Sequence, residues 1–253
     1  METMERPPKA LFCWSPSLDT LVALGSGFTI LVLSALMGRL AASGTLASML
    51  LRDVGMLIFV GTLFPLWFIQ HRHWRLADFG LHIKRWQMYV LLNLGLGGML
   101  FGSLRLGRGP WELSIDSHTL GCALYVMLAG IFEVVFFYGF QLTLFERAFG
   151  TVLAVLLTAV FYSFHHMGFQ SEFLKLFIVG IMYGSVCRLA KSVLIIYPFF
   201  WGVGALFDVL IGAQAIVPIT SPWPRSIGLL GFMAVAIYWG KRQRFETFSA
   251  GGG

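Results

Sequence analysis

Residues 119–142, TLGCALYVMLAGIFEVVFFYGFQL, hold a single formal charge, that of Glu133. About 20 predominantly apolar residues suffice to cross a bilayer as a helix. A segment in lipid must satisfy all its backbone polar groups internally, as a helix or as part of a closed barrel. The apolar residues here are continuous rather than alternating, so the reading is helix. Comparable runs recur at approximately 20–38, 50–70, 87–104, 150–166, 173–189, 192–214 and 225–240. The chain is only 12% charged, where soluble domains hold roughly 25%, so most of its surface must face something other than water. The expected fold class is all-α: a polytopic integral membrane helical bundle of about eight transmembrane helices, one domain over residues 1–253. The first run is too long for the core of a signal peptide and is read as a retained span.

A net charge of +6 and a pI near 9.5 would point to nucleic acid in a soluble protein. In a membrane protein the same excess marks cytoplasmic loops, and no nucleic-acid partner is expected. With both termini placed in the cytoplasm, Arg6, Lys9, Arg72, Arg75, Lys84, Arg85, Arg147, Arg188, Lys191, Lys241, Arg242 and Arg244 fall inside, twelve of the eighteen basic residues. That bias supports eight spans in a multi-pass protein of the cell membrane. The segment HRHWRLADFGLHIKRW reads as a basic cytoplasmic connector suited to an anionic inner leaflet. Cys13, Cys122 and Cys187 have no paired spacing, which implies neither a disulfide framework nor a zinc site.

Within these spans only Glu133 and Asp208 are acids placed centrally, while Asp19, Asp53 and Glu172 lie near span ends, within reach of water. His165 lies in the outer half of the fifth span and is followed by His166. Ionisable groups inside a membrane are functional candidates by default. At 1.5 Å per residue, Glu133 is roughly 14 Å, His165 roughly 22 Å and Asp208 roughly 24 Å from the inner ends of their spans, depths that tilt can bring level. Glu133 shares its side of the helix with the small residues Ala129 and Gly130, and Asp208 lies on a Gly204–Asp208–Gly212 ridge. Small residues of this kind face a neighbouring helix. The competing reading is purely structural, because buried polar groups also tie helices together, at about 0.6 kcal/mol per bond. His166 is read as structural or interfacial.

A carboxylate beside a histidine in a dry pocket that admits water is equipped to activate that water. Desolvation brings the acid towards the range of a working general base, and the histidine polarises a carbonyl or steadies an oxyanion. A metal-dependent version needs three protein ligands and an open position. Glu133, His165 and Asp208 are a thin set for that, and no H-E-x-x-H occurs, so neither metal nor cofactor is expected. Serine chemistry lacks its G-x-S-x-G and a base for Ser163.

EVVFFYG at 133–139, FYSFH at 161–165 and GALFD at 204–208 together resemble the three motifs of the CPBP family, the CAAX proteases and bacteriocin-processing enzymes. The likeness covers about residues 120–212, and DFGLHIKRW resembles the family's segment ahead of its third span. The resemblance implies a helical intramembrane peptidase of about eight spans acting on a membrane-associated protein or peptide in the lipid bilayer. It implies catalytic places for Glu133 (water-activating base), His165 (polarising or positioning) and Asp208 (orienting water or His165). Three motif positions depart from the family pattern: the second glutamate is Val134, the arginine is Tyr138 and the third-motif histidine is Gly204. Tyr138, five residues beyond Glu133, falls on a different side of a regular α-helix. Two other readings compete: a catalytically degraded relative that binds or protects a membrane partner, and a proton-coupled carrier built around a lone acid.

Overall fold

The computed structural model describes residues 10–40, 46–107, 115–166, 172–210 and 219–250. Every regular element among them is helical. Helix α1 is Leu18–Leu40, and α2 runs on through Leu46–Met49, Leu50–Leu63 and Phe64–His71. Then come α3 (Trp86–Gly107), α4 (Ser117–Glu133, continued by Val134–Gln141), α5 (Leu142–Phe164), α6 (Phe173–Ala190), α7 (Phe199–Leu210) and α8 (Pro222–Ala250). Among the described residues, five stretches are long and apolar enough to cross a membrane: Leu18–Leu40, Leu50–His71, Trp86–Gly107, Ser117–Phe164 and Phe173–Ala190. Leu21, Phe28, Val32, Leu91, Met99 and Ile178 are exposed on them, as an apolar solvent requires and water would not favour.

The expected spans 119–142 and 150–166 are parts of one helical run, and the intervening residues 143–149 are helix rather than loop. The run is broken at Gly150, whose φ of 81° is left-handed. A break exposes backbone donors and acceptors that lipid cannot satisfy. Here the chain's own segment 10–15 satisfies them. Cys13 and Ser15 donate to the carbonyls of Phe149 and Ala148, and Thr151 and Val152 donate to those of Ala10 and Leu11. A Cβ at position 150 would lie 2.7 Å from the Leu11 carbonyl oxygen, so both the dihedral and the space demand glycine.

The expected seventh span, 192–214, starts late: its helix begins at Phe199, and residues 211–214 lie outside the described residues. Asn93 of α3 holds that start. Its amide donates to the Leu194 carbonyl at 2.8 Å, and its oxygen accepts from the Phe200 N–H at 2.7 Å, satisfying a first-turn donor that has no partner within its own helix. One turn on, Gly97 lets the Phe199 carbonyl approach, with a virtual Cβ 3.3 Å away. Between α2 and α3 the chain runs as turns and loop around one short helical turn. Leu76–Phe79 forms a short 3₁₀ turn that buries Phe79 against Trp74 and Phe140.

Asp53, expected within reach of water, is buried. Arg225 of α8 donates to both its oxygens at 2.6 Å, and Tyr125 of α4 donates to it at 2.5 Å. Arg225 also donates to the Tyr125 hydroxyl at 2.7 Å. This cluster ties α2, α4 and α8 together at one end of the bundle. Removing one partner of a buried ion pair leaves the other charge uncompensated, at a cost of about 3–5 kcal/mol. Arg225→Met is therefore expected to lower the thermal unfolding midpoint in detergent by the equivalent of that cost. Asp53→Leu combined with Arg225→Met should recover most of the loss.

Candidate active site

Glu133 ends the α-helical part of α4. The segment that follows, Val134–Gln141, is wider: at its end the Leu142 N–H bonds to the Phe137 carbonyl, an i to i−5 connection. Such segments occur mostly as single turns inside α-helices, often at functional sites. With five residues closing the turn, Tyr138 swings from the side expected of a regular helix towards that of Glu133. Its ring meets those of Tyr162 and Tyr183, with centroids 5.7 and 5.9 Å away.

The Glu133 side chain is almost enclosed, and each oxygen has its own partners. The indole N–H of Trp201, on α7, donates to Oε2 at 2.8 Å. The other oxygen, Oε1, faces His165 Nε2 at 3.4 Å and His166 Nε2 at 3.8 Å. Gly130 is what admits the indole: a Cβ there would lie 2.4 Å from the Trp201 ring. The small residues one turn before Glu133 thus do receive a neighbouring helix, and that helix is α7.

His165 and His166 follow the end of α5. His165 Nδ1 lies 2.5 Å and His166 Nδ1 3.0 Å from the same acceptor, the Tyr162 carbonyl. A carbonyl only accepts, so both Nδ1 atoms carry the hydrogen. In its neutral form each ring then turns an Nε2 lone pair towards Glu133, and in its cationic form an N–H. Phe137 and Phe132 wall the His165 ring at centroid distances of 4.8 and 5.9 Å. Behind the ring, the Ser34 hydroxyl of α1 donates to the His165 carbonyl. His165 is thereby fixed by α1, α4 and its own turn.

Of the three residues read as catalytic, Glu133 and His165 meet. Asp208 lies on α7, two turns beyond Trp201, and its side chain lies outside the described residues. Gly204 faces Tyr183: a Cβ there would lie 2.9 Å from the tyrosine hydroxyl, which itself donates to the Phe200 carbonyl at 3.3 Å. The sequence reading missed Trp201, which looks like one more apolar residue on an apolar helix. It set His166 aside, although an adjacent histidine pair at a helix end was the available signal. Glu133, His165 and His166 each offer a ligand atom, all within 4.8 Å of one another, and these are the residues able to hold a metal ion.

Residues 115–206 match the family model "type II CAAX prenyl endopeptidase Rce1-like". The match takes in Glu133, Tyr162, His165, His166, Tyr183, Trp201 and Gly204, and agrees with the CPBP resemblance of the motifs. The Rce1-like family is a protease family, which supports a membrane-embedded hydrolase acting on membrane-associated protein. Comparison with curated proteins and with solved structures finds no match.

Gly130→Val and Trp201→Phe both remove the indole bond to Glu133, one by displacing the ring and the other by deleting the N–H. Their effects on thermal unfolding are expected to be less than additive in the double variant, as for residues sharing one interaction. Full additivity would show that Gly130 acts elsewhere.

Proposed function

We propose that the chain is an intramembrane peptidase of the CPBP type, which hydrolyses a peptide bond of a membrane-associated protein with water activated at Glu133. The observation that carries this reading is the pairing of two acceptors, Glu133 Oε1 and His165 Nε2, across 3.4 Å in a nearly enclosed pocket. Two lone pairs facing each other need hydrogen between them. A water molecule that donates one hydrogen to the carboxylate and the other to the imidazole satisfies both and turns its own lone pair outward. Attack of that oxygen on the scissile carbonyl forms the tetrahedral intermediate as the proton passes to Glu133. Glu133 then returns the proton to the leaving amine.

The surroundings support each part. Trp201 donates to Oε2 only, which fixes the carboxylate's orientation and leaves Oε1 for the proton. The Tyr162 carbonyl sets the His165 tautomer. Asp208 is assigned to orienting the water or His165 by its place in the third motif. The Tyr183 hydroxyl, which fills the space beside Gly204, becomes a donor for charge developing on the carbonyl oxygen when it exchanges its bond to the Phe200 carbonyl.

Glu133→Gln keeps the shape and abolishes the base. Processing of a membrane-associated substrate by the purified protein in liposomes should fall by about 10²-fold or more, within the range that general-base catalysis supplies. Unchanged processing would remove Glu133 from the reaction. A catalytically degraded relative that binds or protects a membrane partner is the second reading, favoured by Val134, Tyr138 and Gly204 at motif positions. On that reading no cleavage occurs, and Glu133→Gln leaves partner capture intact.

A further inference from the structure

His166 has no part in the reaction outlined above, yet its Nε2 points at the same carboxylate oxygen as that of His165. One water can bridge two of the three acceptors. A third converging group is satisfied by a positive charge, either a proton on one imidazole or a cation held by all three. The three atoms also have the spacing of a metal site. Zinc binds histidine nitrogen and carboxylate oxygen at about 2.0–2.2 Å, and tetrahedral ligands at that radius stand about 3.3–3.5 Å apart. Oε1 stands 3.4 Å from one nitrogen and 3.8 Å from the other, and all three ligand atoms lie within 4.8 Å of one another, so the two imidazoles have to draw in to close on a metal ion.

The outer contacts fit as well. Histidines that bind metal donate their remaining ring N–H to a carbonyl or carboxylate, and ligating carboxylates are themselves hydrogen-bonded. Both histidines here present Nδ1 to the Tyr162 carbonyl, and Trp201 holds the other carboxylate oxygen. The His166 side chain is 27% exposed, which gives a cation a way in. Two imidazoles select a transition metal over calcium or magnesium.

We propose that Glu133, His165 and His166 form a site for one divalent transition-metal cation of the zinc type. Its effect on catalysis rests on the peptidase reading. A cation on Oε1 displaces the bridging water and takes the lone pair that would receive its proton. Occupancy therefore switches a glutamate-based hydrolysis off.

The test is titration of the full-length, chelator-treated protein in detergent with Co²⁺, followed by its visible absorption. One Co²⁺ per chain is expected, displaced by Zn²⁺. Loss of an outer-shell contact alone weakens metal binding by about 10–100-fold, so His166→Ala and Glu133→Gln should weaken it by roughly 100-fold or more. His166→Cys should keep the site and add a thiolate-to-cobalt charge-transfer band. The parent gives no such band, because none of its three cysteines, Cys13, Cys122 and Cys187, belongs to the ligand cluster. Sub-stoichiometric binding, binding indifferent to His166→Ala, or no new band in a folded His166→Cys protein would overturn the site. Hydrolysis that persists at full occupancy would overturn its inhibitory role. A protein that never hydrolyses substrate, but gives the cobalt spectra, would refute the peptidase reading and leave the cation site standing.

Discussion

A carboxylate buried in an apolar bundle has to be compensated locally, and the placing of α4, α5 and α7 answers to that requirement. Glu133 has an indole donor on one oxygen and two imidazoles at the other. Each partner comes from a segment whose position is fixed by something else. Trp201 is where it is because Asn93 anchors the first turn of α7 and Gly130 leaves room for the ring. The histidines are where they are because α5 ends beneath the Tyr162 carbonyl and against Ser34 of α1. The acid is held by the convergence of separate helices, a form of preorganisation that costs no reorganisation when charge develops.

The backbone departs from regular helix where the chemistry and the packing need it. The widened turn after Glu133 brings Tyr138 round towards Tyr162 and Tyr183 and sets Phe137 against His165. The break at Gly150 lets the run 117–164 change course without orphaned backbone groups, because residues 10–15 lie along it. Glycine is dictated at 150 by the dihedral and at 130 by the indole; neither reason is visible in a motif.

The helical membrane class was legible because continuous apolar runs admit few alternatives in lipid. Glu133 and His165 were legible as ionisable residues in places where charge is costly. Other features were hidden for physical reasons. Trp201 donates through one N–H of a large apolar ring, so composition counts it as packing. Asp53 and Arg225 are 172 residues apart, and each alone reads as an end-of-span charge. The continuity of 143–149 was missed because Glu146 and Arg147 interrupt the apolar pattern. In the structure Glu146 pairs with Arg188 and Arg147 lies over the Trp74 ring, so both are accommodated within a helix. The tautomers that make a cation site of a Glu–His–His set depend on one shared carbonyl, and sequence gives no sign of that.

The Asp53–Tyr125–Arg225 cluster bears on how the chain is made. Arg225 lies 172 residues beyond Asp53, so until α8 has been made the acid lacks the cation that holds both its oxygens.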